Sequence, residues 1–283
     1  MITEEDKNTM ITEEDKNLSY LLDNLAAQLR EGLSNLYLSG RRLAPVRARK
    51  ASPSLDKSSA YADQSRIRMM RLVRNLEENA VLLRTETLTR EIYDIVGLVS
   101  DICEESADLV AYLGVKLTFS CMEQCHTCAI SPEHIRQLLY HLISNAMKHA
   151  SKPGHVRVSL RFPRPPREIL LSVEDDGNGI PEEELPMLFE WSRRPRGVKD
   201  FAHGMGLGLD ICKRIAEKHG GTLSVESKPG KGSVFTMRIP DEPEKNILFR
   251  QPGFAEKNAG IHPSLLMLSD ALPWEAFLIK NQL

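Results

Sequence analysis

From Leu18 onward the apolar positions fall in a regular pattern: Leu22, Leu29, Leu36 and Leu43 are spaced by seven, with Leu18, Leu25 and Gly32 between them. That a/d spacing predicts a long helix with a seam for packing against other helices. A polar stretch bearing Pro and Ser (residues 45–64) interrupts it, after which Ile67, Met69, Val73, Leu76, Ala80 and Leu83 resume a similar spacing. Two long helices with a connection read as an αα-hairpin. One hairpin has too little core by itself, so the seam asks for a second copy and a dimeric four-helix bundle.

Beyond Thr89 a further amphipathic helix is predicted to about Tyr112, and the alternating run VKLTFSC then suits a strand. Ser131 followed by Pro132 opens a helix predicted to run to Ala150, because Ser is a natural N-cap and Pro a natural first residue. Strands are expected at HVRVSLRF and REILLSVED, separated by PRPP. That proline cluster reads either as a rigid hairpin connection or as a polyproline ligand. A last helix from Gly206 to His219 ends at Gly220 and Gly221, and TLSVES and SVFTMRIP follow as strands around a PGKG turn. Helices interleaved with antiparallel strands imply an α+β layer fold. The expected organisation is a helical hairpin at residues 18–89, an α+β domain at 90–240 and a C-terminal extension at 241–283.

MITEEDKN occurs at residues 1–8 and again at 10–17. Too short for a solenoid unit, this duplicated segment (1–17) is set aside as disordered. The 283 residues carry 41% hydrophobic and 27% charged residues and a net charge of -2, the profile of a globular chain with no electrostatic case for nucleic acid. No apolar run approaches a bilayer span and the N-terminus is acidic, so no transmembrane segment and a cytoplasmic location are expected. Five cysteines fit a reducing compartment better than a disulfide framework.

Four stretches carry chemistry: HLISNAMKHA (141–150), DDGNGIP (175–181), LFEW (188–191) and GMGLGL (204–209). The amide oxygen of Asn145 suits a hard Mg²⁺ ion, and Lys148, three residues on, shares its helix face and reaches phosphate. Asp175 at a strand end can accept from an exocyclic amine, while Gly177 and Gly179 allow close approach of backbone to a flat base. Gly204, Gly206 and Gly208 at a helix start leave N–H groups facing an anion.

In this order the stretches resemble the ATP-binding domain of sensor histidine kinases, within the GHKL superfamily that includes gyrase. The N box falls at Asn145, the G1 box at Asp175, Gly177 and Gly179, the F box at Phe189, and the G2 box at Gly204, Gly206 and Gly208. The resemblance implies a GHKL (Bergerat) α/β sandwich holding ATP and Mg²⁺ between the N-box helix and a lid. It further implies that His149, Leu207 and Thr236 belong to the ATP site, as does a basic lid at 190–205 with Arg193, Arg194, Arg196 and Lys199. Those cations read equally as a phosphate clamp or as a solvated run. One departure is His141, four before Asn145, where the kinases commonly carry Asn. Orienting a nucleophile and a structural role on the helix face both remain open for it.

The hairpin resembles the kinases' dimerisation and phosphotransfer domain but departs from it more seriously. Where they carry a His, an acidic residue, a Thr or Asn and a Pro, this chain aligns Ala27, Gln28, Glu31 and Gly32. Ala27 falls on the solvent side of the helix, as an acceptor must, and has no nucleophilic atom. Cys121, Cys125 and Cys128, with His126 among them, form C-x3-C-x2-C, open to a metal or redox role or to plain structural cysteines. Cys103 and Cys212 read as core. The functional expectation is a Mg-ATP-binding, histidine-kinase-like homodimer that signals to a response regulator or an intact histidine kinase without ordinary autophosphorylation. The alternatives are an active kinase transferring phosphate in trans to a partner His or Ser, and a non-enzymatic scaffold that heterodimerises with an intact kinase.

Overall fold

The structure is a computed structural model that describes residues 11–189, 207–241 and 261–281. It divides into two compact units, one made of Met1–Glu86 with Ser269–Leu283 and the other of Thr87–Leu268.

The first unit is built on two long helices, α1 (Glu13–Leu43) and α3 (Pro53–Arg84), with the short α2 (Val46–Ala51) between them. The helix starts in the second copy of the N-terminal repeat, earlier than Leu18, because that copy carries a capping box. Thr12 Oγ1 accepts from Asp15 N at 3.1 Å and Asp15 Oδ2 accepts from Thr12 N at 3.1 Å. Residues 11–17 are therefore not a disordered leader, while the first copy lies outside the described residues. Glu13, Glu14 and Asp15 in the first turn and Arg41 and Arg42 in the last complement the helix dipole. The polar stretch 45–64 is not a long connection either: the chain breaks only around Pro45 and at Ser52, whose hydroxyl caps α3 with Pro53 next. Polarity there marks solvent exposure, and Arg, Lys, Ala and Ser are compatible with helix.

The seam between α1 and α3 also differs from the leucine heptad. Ser19, Ala26 and Leu33 are the buried positions of α1, and they face a helix with Ala60, Ile67, Val73, Leu76, Ala80 and Leu83 buried. Ser19 Oγ donates to the Ala80 carbonyl at 2.9 Å, and the Arg84 guanidinium pairs with Asp23. Leu18, Leu25, Leu29, Leu36 and Leu43 stay exposed beside that seam. Met69, expected with the seam residues, is exposed as well.

The second unit is an α/β sandwich. Its sheet has five strands in the order β2-β4-β5-β7-β6, namely β2 (Val115–Cys121), β4 (Gly154–Arg161), β5 (Glu168–Asp175), β7 (Gly232–Pro240) and β6 (Thr222–Lys228). β2 and β4 are parallel and the other pairs antiparallel. The expected helix after Thr89 begins instead with β1 (Glu91–Asp94), which pairs with β3 (Thr127–Ile130). Asp94 then caps α4 (Ile95–Ala111), accepting from Val96 N at 3.1 Å. With α5 (Pro132–His149) and α6 (Leu207–Lys218), α4 covers one face of the sheet. Ile102, Leu138, Met147, Val158, Leu171 and Ile215 lie in the core. PRPP serves as the hairpin connection between β4 and β5. Gly220 and Gly221 end α6, their amides donating to the carbonyls of Glu217 and Ala216 at 2.9 Å each.

The extension 241–283 is not a separate domain. Helix α7 (Pro263–Leu268) belongs to the second unit, where it packs on α4 and α5, and residues from Ser269 onward belong to the first. No described helix is long and apolar enough to cross a membrane.

Candidate functional site

The site is organised around the end of β5. Asp175 is paired in register with Ser233 of β7 on one side and Val156 of β4 on the other, and its side chain takes the helix-covered face. It is 4% exposed, and its Oδ1 accepts from Gly177 N at 3.0 Å. Burial pushes its pKa up, opposed by the backbone N–H groups of Gly177 and Ser233. This is a buried carboxylate prepared to accept a neutral donor.

The two G1 glycines are required by the protein itself. A Cβ on Gly177 would stand 2.0 Å from the His149 carbonyl oxygen at the end of α5. Gly179 has φ +67°, and a Cβ there would stand 2.1 Å from the Lys228 carbonyl oxygen. The loop after β5 is thus wedged between the end of the N-box helix and the β6–β7 turn. Asp176, absent from the sequence-based site, pins the other side: its Oδ2 accepts from His155 N at 2.8 Å and its Oδ1 from Ser151 N at 3.2 Å. Ser227 Oγ accepts from Ile180 N at 2.8 Å. The adjacent Asp pair and the Ser before the PGKG turn were the available signals.

On α5, Asn145 and Lys148 are half-buried and His149 is exposed. His141, one turn before Asn145, is 4% exposed, and its Nδ1 lies 3.0 Å from where a Cβ on Gly208 would sit. The imidazole therefore rests on the start of α6, where Leu207 is buried. A second histidine ties the same two helices. His219, at the end of α6, accepts from Ser131 N through Nε2 at 3.1 Å and bonds the Ile215 carbonyl through Nδ1 at 2.7 Å. Ser131 occupies the N-cap position of α5, yet its hydroxyl bonds His134 Nδ1 at 2.8 Å instead of the helix backbone.

Thr236, expected at the ATP site, lies on the sheet face opposite to that of Asp175. Alternation along β7 puts Ser233, Phe235 and Met237 on the helix side, and Thr236 faces away, its hydroxyl 2.9 Å from Ser172 Oγ. Ser233 is the residue paired with Asp175. Phe189 is half-buried at the edge of the described residues, and Arg193, Arg194, Arg196, Lys199, Gly204 and Gly206 lie outside them.

The cysteine cluster does not assemble. Cys121 ends β2 half-buried, Cys125 is exposed and Cys128 is buried. Burial pushes the Cys128 thiol up to about 12, against any thiolate role. His126 is engaged by Glu123 at 3.0 Å and Asp241 at 3.2 Å and stacks on Phe162. Among the described residues no group of three His, Cys, Asp or Glu could hold a metal ion. Cys103 and Cys212 are buried in helices, as expected.

The family described as "Histidine kinase-, DNA gyrase B-, and HSP90-like ATPase" matches residues 130–243. Sensor histidine kinase YkoH of Bacillus subtilis is 45% identical over 111 residues, 39% of this chain and 24% of its own. Adaptive-response sensory kinase SasA of Parasynechococcus marenigrum is 39% identical over 106 residues, 38% of this chain and 27% of its own. The match thus spans about a quarter of each relative's length. The crystal structure of full-length ShkA in complex with AMPPNP shares the fold, with a TM-score of 0.60 and 21% identity over 78% of this chain and 45% of that one. Residues 130–243 thus match the histidine kinase-, DNA gyrase B- and HSP90-like ATPase family in sequence, and the α/β sandwich they contribute to has the fold seen in full-length ShkA.

Proposed function

We propose that this chain binds Mg-ATP in the second unit and signals as a homodimer through its hairpin to a two-component partner, a response regulator or an intact histidine kinase, without phosphorylating itself on α1. The buried Asp175, wedged beside the end of the helix that carries Asn145 and Lys148, is the observation that carries the nucleotide part. The donor set fits the ligand. Asp175 would accept from the adenine amine, the Asn145 amide oxygen would join the Mg²⁺ shell, and the Lys148 ammonium would face phosphate. Bound Mg-ATP would supply a transferable phosphoryl group. The protein's own contribution is to hold the base on a low-dielectric carboxylate and to brace the N-box helix against α6 through His141 and His219.

Ala27 and Gln28 are both exposed on α1, so the place for an acceptor is open to solvent and bears neither nucleophile nor base. That favours a nucleotide-dependent switch over self-phosphorylation. Titration calorimetry with ATP and Mg²⁺ tests the reading: heat of binding should be measurable in the wild type, and Asp175→Asn should weaken it at least about tenfold by loss of a charge-assisted bond. Folded protein that gives no heat at millimolar ATP would refute it.

A further inference from the structure

Helix α3 carries a second stripe distinct from its seam with α1. Lys57, Tyr61, Gln64, Arg68 and Arg71 recur at spacings of four and three, so they line one face of the helix, and none of them is aliphatic. The C-terminal segment 269–281 lies on this stripe, within the same unit. The stripe holds it largely by its backbone. Gln64 Nε2 donates to the Leu272 carbonyl at 2.8 Å, and Arg68 reaches the carbonyls of Ser269, Asp270 and Leu272 at 3.0–3.3 Å. Arg49 of α2, held by Asp56 and Asp63, donates to the Phe277 carbonyl at 3.2 Å.

Side-chain anchors supply the selectivity. Trp274 stacks on Tyr61 with ring centroids 4.7 Å apart, and the Lys57 ammonium lies 5.2 Å from the indole centroid. Asp270 pairs with the buried Arg71 at 3.1 Å, and Leu272 and Phe277 are buried. Capture of carbonyls by fixed side chains, with an aromatic anchor in a slot, is how proteins read short peptides. Apart from two short 3₁₀ turns, Trp274–Phe277 and Ile279–Asn281, the segment has no regular structure of its own.

We propose that α2 and α3 form a binding groove for a short linear peptide of the pattern Asp-x-Leu-Pro-Trp-x-x-Phe, and that residues 269–281 fill it in cis as a displaceable ligand. A partner displaying the same pattern would compete with the tail, and its binding would be set by how firmly the tail is seated. This proposal stands apart from the nucleotide reading.

The probe is a fluorescein-labelled synthetic peptide of residues 269–281, followed by anisotropy against the full chain. The wild type should show no binding below about 100 μM, because a tethered ligand competes at an effective concentration in the millimolar range. Trp274→Ala with Phe277→Ala in the chain should open the groove and raise the affinity for the free peptide at least about tenfold. Adding Arg68→Ala should remove that gain. Equal binding to the wild type and the tail variant, or none to a tail variant that keeps its helical circular dichroism, would overturn the proposal. Hydrogen exchange on the unmodified chain tests it without any variant: the 269–281 amides should open at least about tenfold faster than the buried amides of α3. Exchange of both segments together, as one cooperative unit, would make the tail a part of the hairpin core and end the idea.

Discussion

The imidazole of His141 lies against the backbone of Gly208, so that a Cβ on the glycine would come within 3.0 Å of Nδ1. The N-box helix and the first turn of α6 are thereby in register with each other through one ring and one missing side chain. Gly208→Ala should cost about 1–3 kcal/mol, the range for overpacking, less what alanine returns in helix propensity. In a His141→Ala background the same substitution should be neutral or stabilising. Urea unfolding of the four proteins gives the coupling energy, and additive effects would show that the two residues act independently.

His219 sets a pH dependence of stability. Burial holds its pKa at about 4, below the 6.5 of the free side chain, with Ser131 N and the Ile215 carbonyl bonded to the neutral ring. Between those values the unfolded chain binds more protons than the folded one. The contribution is therefore complete above pH 6.5 and is lost as pH falls toward 4, amounting to about 2 kcal/mol by pH 5. Urea midpoints at pH 7.5 and pH 5 should show that loss in the wild type and a clearly smaller one in His219→Gln. Parallel losses in the two proteins would assign the acid sensitivity to other groups.

The site's chemistry was legible where a residue type has one use and opaque where neighbours decide. Asp175 could be read from the sequence because an acid after a hydrophobic strand and before D-G-N-G has few structural roles. Gly177 and Gly179 answer a second requirement that the sequence cannot show, since the His149 and Lys228 carbonyls fill the space a Cβ would need. Thr236 was misplaced because a strand's facing is fixed by its partners, and the Ser172 register decides it. In the hairpin, the leucine heptad was visible but its assignment was not. The buried Ser19, Ala26 and Leu33 repeat with the same period on a neighbouring face, and small residues give a weaker hydrophobic signal than leucines. The hydrogen bonds that Arg49, Gln64 and Arg68 make to the tail all go to backbone carbonyls, which no side-chain pattern announces.

The leucines left outside the hairpin seam define the next test. Leu29 is 44% exposed and Leu36 65% exposed, on the helix that also exposes Leu18, Leu25 and Leu43. Such a ridge on a single hairpin leaves apolar surface in water, and a second copy would cover it. Leu29→Lys should therefore convert a dimer into a monomer while leaving the Ser19, Ala26 and Leu33 seam folded, because Leu29 is outside that seam. Light scattering at micromolar concentration reads the outcome. A wild type already monomeric there would refute the four-helix-bundle expectation.

The sharpest test concerns what the nucleotide is for. Transfer to a histidine needs an imidazole in solvent reach and a neighbouring base, and α1 presents Ala27 and Gln28, both exposed, at those places. The wild type should therefore acquire no acid-labile phosphate on α1 when incubated with labelled ATP and Mg²⁺. Ala27→His with Gln28→Glu places a nucleophile and a base at two exposed positions of α1. The double variant is expected to bind ATP and remain essentially unlabelled, because the proposed nucleotide switch asks no transfer geometry of the ATP unit. Strong labelling of that variant would show that the transfer geometry survives and would move the balance toward a kinase acting on a partner. Acid-labile phosphate mapped by mass spectrometry to α1 of the unmodified chain would overturn the reading of the hairpin itself.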